Sequence, residues 1–318
     1  MKPITLAIVA PCFNEQEMLP ISAPKLIGLL DELVIDSKIS PDSFIIFVND
    51  GSSDSTWNII KSLHLSDNRC RGLDLSRNVG HQNAIMAGMD IAVDGPDPAD
   101  AVITIDVDLQ DPLECIPLMI DDFYKGFDVV YGVRASRNSD SFLKRFSAES
   151  FYRLQKKLGV KTIFNHADFR LMSARVIREL QRYNERNLFL RGIIPLIGFP
   201  ASTVEEVRAE RTAGETKYTL RKMLRLALDG ITSFSITPIY IILGIGICFI
   251  FVAFAIMIYV LISLLNHSTV PGWTSLMLSI WLVGGVTIAS LGLVGLYVGK
   301  AYIETKNRPR YHISGYLH

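Results

Sequence analysis

The chain reads as an α/β protein with a mostly parallel sheet, continued by an interfacial helix and a two-helix transmembrane hairpin. Three observations point there. Strand-like apolar runs alternate with helical patterns over the first two-thirds of the chain. The acidic signatures fall where those runs end. From Gly230 to Gly299 there is no Asp, Glu, Lys or Arg at all. A chain divided this way puts chemistry in water beside a bilayer.

The strand-like runs are residues 5–10, 44–48, 71–75, 101–105 and 128–131, and helical stretches lie near 18–36, 55–65, 81–92 and 113–124. This βαβα order argues for parallel strands covered by helices. The first apolar run follows Met1-Lys2 directly. It is too short for a signal core with a cleavage site and reads as a buried strand. The N-terminal domain, 1–218, is therefore expected in the cytoplasm.

Two apolar runs close the chain, 236–265 and 275–298. A span needs about 20 residues, so both qualify, and the transmembrane helices are placed at 234–265 and 275–300. The turn between them holds Pro271, Gly272 and Trp273 and no charge. Arg221, Lys222 and Arg225 precede the first span, and Lys300, Lys306, Arg308 and Arg310 follow the second. Positive charge marks the cytoplasmic side. Both ends, including a tail at 301–318, are expected there. Residues 219–233 carry Leu220, Met223, Leu224, Ala227, Leu228 and Ile231 at helical spacing, with Arg221, Lys222 and Arg225 off that face. That pattern suits an amphipathic interfacial helix on anionic lipid.

The 32 basic residues balance 32 acidic ones across 318 positions, so nothing global favours nucleic acid. Cys12, Cys70, Cys115 and Cys248 are scattered without a CxxC pair, which suits reduced, structural thiols.

Ligands of parallel sheets sit beyond the carboxyl ends of the strands. The first strand runs into Pro11-Cys12-Phe13-Asn14-Glu15, the second into Asn49-Asp50-Gly51, and the fourth into Asp106-Val107-Asp108-Leu109-Gln110. Carboxylates gathered on one edge need a cation or hydrogen-bond donors beside them. In an extended segment Asp106, Asp108 and Gln110 share a face, which suits Mg²⁺ or Mn²⁺ with oxygen ligands. Asp50 suits a base or ribose. No Walker A or Gly-x-Gly-x-x-Gly pattern is present. Arg134 and Arg137 follow the fifth strand, and Arg208, Arg211 and Lys217 lie just before the interfacial helix. Arginine forks match phosphate oxygens.

Together these residues resemble the inverting family 2 glycosyltransferases with a GT-A fold. More narrowly they resemble the polyprenyl-phosphate glycosyltransferases, which include the dolichol-phosphate mannose synthases and the bactoprenol glucosyltransferases of phage-type O-antigen (lipopolysaccharide) modification. The carrying stretches are DVDLQDP (106–112), DFRLMS (168–173), ERNLFLRG (185–192), VRAERTAGETKY (207–218), GITSF (230–234) and YIETKNRPRY (302–311). The resemblance implies that Pro11, Phe13, Glu15 and Asp50 hold the nucleoside. It implies that Asp106, Asp108 and Gln110 bind Mg²⁺ or Mn²⁺ and the diphosphate. Asp168 matches the aspartate usually taken as catalytic base, beside Asp108. Arg134, Arg208, Arg211 and Lys217 match residues that contact donor or acceptor phosphate. Ala167 and Thr216 stand where the family usually has Gly and often Ser.

The resemblance further implies transfer of a sugar, foremost glucose from UDP-glucose, to undecaprenyl phosphate at the bacterial inner membrane, and a homo-oligomer, a tetramer. GDP-mannose, UDP-GlcNAc or UDP-galactose are alternative donors. A processive polysaccharide synthase normally carries Gln-x-x-Arg-Trp, and no Arg-Trp pair occurs here. A non-catalytic membrane scaffold is the remaining alternative, against which Asp50, Asp106, Asp108 and Asp168 all speak.

Overall fold

The computed structural model describes residues 2–134, 166–185, 188–206 and 272–318, with scattered helical positions between 239 and 258. The elements run β1 Leu6–Cys12, α1 Leu19–Ile35, β2 Phe44–Asn49, α2 Thr56–Ser66, β3 Cys70–Leu75, α3 His81–Asp94 and β4 Ala101–Thr104. A 3₁₀ turn at Leu113–Cys115 leads into α4 Ile116–Tyr124 and β5 Val129–Arg134. Then come β6 His166–Ser173, α5 Ala174–Gln181, α6 Leu190–Ile197, β7 Ala201–Glu206, α7 Trp273–Thr305 and β8 Ile313–Leu317.

The eight strands form one sheet in the order β7-β5-β6-β4-β1-β2-β3-β8. β1 pairs in parallel with β2 and β4, β2 with β3, and β5 with β7. The runs FIIFVN and LAIVAPC are buried almost throughout, as parallel strands covered on both faces require. Ile8, Ala10, Ile45, Phe47 and Ile103 face the core packed by α1 and α4. The opposite face takes α3, whose Gly88 admits Val9 and Val48 so closely that a Cβ would lie 2.4 Å from Val9 Cγ1.

Two strands run against the rest. β6 enters between β4 and β5, antiparallel to both, with Thr104 opposite Arg170. Its beginning therefore lies at the carboxyl ends of its neighbours, which brings Asp168 to the edge that carries Asp106. β8 pairs antiparallel with β3. The sequence reading carried 301–318 as a tail; in the structure its end is an edge strand. Tyr311 Oη donates to Asp90 Oδ2 on α3 at 2.5 Å, and Ser76 N donates to His312 O at 2.9 Å.

α7 belongs to a second compact unit, separate from the unit that holds the sheet. Its stretch Leu282–Thr305 is long and apolar enough to cross a membrane, with mean hydropathy 1.9 over 24 residues. The whole helix α7 overlaps 275–300, the expected second span, and extends past it. Within 234–265, where a first span is expected, Ile239, Ile242, Cys248, Phe254 and Ile258 are among the described positions, all helical. The interfacial helix at 219–233 lies outside the described residues.

Candidate active site

The carboxyl edge is built in two parts. On the first, the loops after β1, β2 and β3 are laced by backbone hydrogen bonds. Asp50 N donates to Cys12 O at 2.9 Å. Ser53 N donates to Asn14 Oδ1 at 2.9 Å, and Glu15 N to Thr56 Oγ1 at 2.9 Å. Asn14 takes a positive φ of 55°, which asparagine tolerates. Gly51 has φ 63°, and a Cβ there would lie 2.4 Å from Asn78 N. Only glycine lets the β2 loop approach the β3 loop this closely.

Asp50 sits at that crossing. Its two oxygens accept Val79 N at 2.7 Å and Gly80 N at 3.1 Å, and the residue is 3% exposed. Burial pushes its carboxyl pKa up, against the opposing pull of the two amides, His81 and Arg77. Asp50 thus fastens the loop that starts α3. Phe13 is exposed and Pro11 half-buried at the mouth of the same edge.

On the second part, charge is paired by side chains. Arg170 Nη2 donates to Asp168 Oδ1 at 2.6 Å, and Arg191 reaches the same carboxylate through Nε at 3.1 Å and Nη2 at 2.9 Å. Burial alone would raise the Asp168 pKa. Arg191, His81 and Arg170 outweigh it and hold the carboxyl well below its ordinary range. His81 Nε2 stands 3.7 Å from Asp168 Oδ2 and 3.6 Å from Asp106 Oδ1. Burial disfavours its cation, yet the two carboxylates prevail and its pKa is raised.

The local sequence makes this cluster. Asp168 and Arg170 are two apart on a strand and share a face, while Phe169 and Leu171 enter the opposite core. His81 opens α3. Next to it Gln82 Oε1 accepts Leu190 N at 3.0 Å, which seats the helix that carries Arg191. His81, Arg170 and Arg191 had no role in the sequence reading. Two of them lie inside DFRLMS and ERNLFLRG, the stretches that carried the resemblance.

Asp106, Asp108 and Gln110 do lie at the end of β4, but not on an extended face. The strand stops at Thr104, the chain turns with Leu109 N on Asp106 O at 3.4 Å, and Leu109 takes φ 52°. Asp108 Oδ1 then accepts Gln110 N at 3.2 Å. The alternation argument fails because the segment is a tight turn. Among the described residues no three His, Cys, Asp or Glu side chains stand at metal-ligand spacing. Two carboxylates still fit Mg²⁺ or Mn²⁺, because such ions are commonly held by one or two carboxylates plus substrate phosphates and water. Arg134 closes β5, with its side chain outside the described residues; Arg208, Arg211 and Lys217 lie outside them too.

Residues 7–181 match glycosyl transferase family 2. The chain belongs to this family. It is a glycosyltransferase, built on the mostly parallel sheet described above. The glycosyltransferase YkoT of Bacillus subtilis (strain 168) is 46% identical over 97% of this chain and 90% of its own. The prophage bactoprenol glucosyl transferase homolog of Escherichia coli (strain K12) is 42% identical, covering 97% of this chain and 98% of that one. Among solved structures, mannosyltransferase PcManGT from Pyrobaculum calidifontis, in complex with GDP-Man and Mn2+, gives TM-score 0.44 at 11% identity, over 96% and 87% of the two chains.

Proposed function

We propose that this glycosyltransferase moves a sugar, glucose from UDP-glucose, onto undecaprenyl phosphate at the cytoplasmic face of the bacterial inner membrane. The product is a polyprenyl-phosphate sugar that supplies cell-surface glycan modification. The observation that carries the reading is the meeting of Asp106 and Asp168 across His81, at 3.6 and 3.7 Å, on the carboxyl edge of the sheet. A donor-side carboxylate and an arginine-clamped carboxylate then face one reaction centre. Full-length likeness to a bactoprenol glucosyl transferase homolog supports the acceptor. The apolar helix α7 supports a lipid one.

In this scheme a phosphate oxygen of the acceptor forms the new bond to the anomeric carbon while the bond to the nucleoside diphosphate breaks. Pro11, Phe13 and Glu15 line the nucleoside end, over the loops that Asp50 fastens. Asp106, Asp108 and Gln110 would hold Mg²⁺ or Mn²⁺, which when bound would supply positive charge beside the leaving diphosphate. Arg134, Arg208, Arg211 and Lys217 are assigned to the phosphates.

Asp168 is a weak base in this setting. Two guanidiniums hold it ionised, so it accepts a proton poorly. A phosphate monoester has a second pKa of about 6 and is largely ionised at neutral pH. Deprotonation is then a small task, and Asp168 is assigned an orienting role.

The test uses membranes containing the protein, labelled UDP-glucose, undecaprenyl phosphate and Mg²⁺ or Mn²⁺, with Asp108→Ala as control. Label in a mild-acid-labile glycolipid, made only by the intact protein, supports the reading. Label from another nucleotide sugar alone replaces the donor. No lipid product with any donor sinks it.

A further inference from the structure

Two arginines bind Asp168, and the fold treats them differently. Arg170 rises from β6 and its side chain is 1% exposed. Arg191 comes from the first turn of α6 and its side chain is 33% exposed. The Arg170–Asp168 pair balances in charge on its own. Arg191 adds a second guanidinium to the same carboxylate. The more exposed of the two guanidiniums is Arg191. Its fork is already presented flat, since Nε and Nη2 meet the two oxygens of Asp168 in parallel.

We propose that Arg191 binds the phosphate of the acceptor lipid, and that Asp168 is the exchangeable partner holding its guanidinium ready. This rests on the reading above that the acceptor is a prenyl phosphate. The planar fork matches two phosphate oxygens, which a lysine at this position would not do. Its seat is built in advance. Leu190 is buried and its amide is held by Gln82, and Ile193 and Ile194 anchor the same helix in the core. The arginine is therefore largely ordered before the acceptor arrives, which lowers the entropic cost of binding. When Arg191 turns to the phosphate, Asp168 keeps Arg170, so no buried carboxylate is left alone. The phosphate then lies in the same charged cluster as His81 and Asp106, the donor side of the reaction.

The experiment compares undecaprenyl phosphate with undecaprenol, its uncharged counterpart, for binding to the full-length protein in nanodiscs. It also measures KM for acceptor and donor separately. The intact protein is expected to prefer the phosphate. Arg191→Gln removes that preference and raises acceptor KM by about tenfold to a hundredfold, the size of a lost charge-assisted contact. Its Mg²⁺-dependent UDP-glucose binding stays within about twofold, which also certifies the fold. Arg191→Lys falls between, and Arg191→Gln with Asp168→Asn covers the case in which the single variant does not fold. Acceptor KM unchanged in Arg191→Gln, or donor affinity falling in step with it, overturns the inference and leaves the reaction standing. Phosphate-lipid binding that depends on Arg191 without any lipid turnover upholds the inference and sinks the reaction. An intact protein that binds both lipids equally sinks the inference whatever the reaction.

Discussion

Asp50 and Asp168 are both buried carboxylates on one sheet edge, and they are held by opposite means. Asp50 is held by two main-chain amides, and burial raises its pKa. Asp168 is held by two guanidiniums against its burial, and its pKa falls. Amides fixed in a loop act as structure, because they move only if the loop moves. Guanidiniums on flexible stems are charges that can change partner. The contrast separates a rigid part of the edge, proposed above to face the nucleotide, from an adjustable part proposed to face the acceptor, although the two are joined through His81.

The largest effect expected from breaking this arrangement lies at Asp108. Asp108→Ala removes a carboxylate from the diphosphate end and should lower kcat by about a hundredfold to a thousandfold, the loss typical for one preorganised electrostatic group. Asp168→Asn should lose less, about tenfold to a hundredfold, because it unsettles an orienting group and not a required base. The loss should be the same at pH 6 and pH 8. Rate measurements of both variants across that range check it. Equal, near-total losses at every pH would return Asp168 to the role of base.

Asp50→Asn comes next. The amide keeps one acceptor oxygen and turns a donor group toward Val79 N or Gly80 N. One buried donor then goes unmet, at a cost of about 1–3 kcal/mol. Urea unfolding should register the loss, with a raised donor KM as the loop at 77–80 loosens. Tyr311→Phe should cost about 1 kcal/mol by removing the hydrogen bond to Asp90 on α3. A lowered melting temperature with an unchanged acceptor KM would place that contact on the structural side of the comparison.

Much of this was legible in the sequence, and the omissions share a cause. β1 to β5 and α1 to α4 declared themselves as strand-like runs alternating with helical patterns, most plainly in the continuous apolar runs FIIFVN and LAIVAPC. The strand that delivers Asp168 did not. HADFRLMS alternates Asp168 and Arg170 with Phe169 and Leu171, and an arginine at 1% exposure is the reverse of what burial statistics lead one to expect. β8 is short, with Ile313 and Ser314 exposed and the rest half-buried, and nothing local tells an edge strand from a tail. Asp106, Asp108 and Gln110 do follow the fourth strand, but their geometry was misjudged, because Leu109 takes a left-handed turn that branched and bulky residues rarely adopt. Arg191 and His81 were out of reach for another reason: their meaning lies in distances to Asp168 and Asp106, set by a fold that joins residues 81, 106, 168 and 191.

The smallest effect is the sharpest test of the comparison, because the two carboxylates titrate with opposite sign. Asp168 has a folded pKa below its unfolded value of about 3.9. Its pairing therefore stabilises the fold fully above that value and is lost as pH falls below it. Asp50 has a folded pKa above the unfolded value, so in the window just above pH ~3.9 the folded state binds more protons than the unfolded one. Its contribution falls as pH rises through that window. On acidification from neutrality, Asp50 should first add stability and Asp168 should then remove it. Urea midpoints followed from pH 7 to pH 3 should show the first slope vanish in Asp50→Asn and the second flatten in Asp168→Asn. If both variants altered the same part of the curve, the two carboxylates would be one coupled site, and the division between a rigid and an adjustable side would fail.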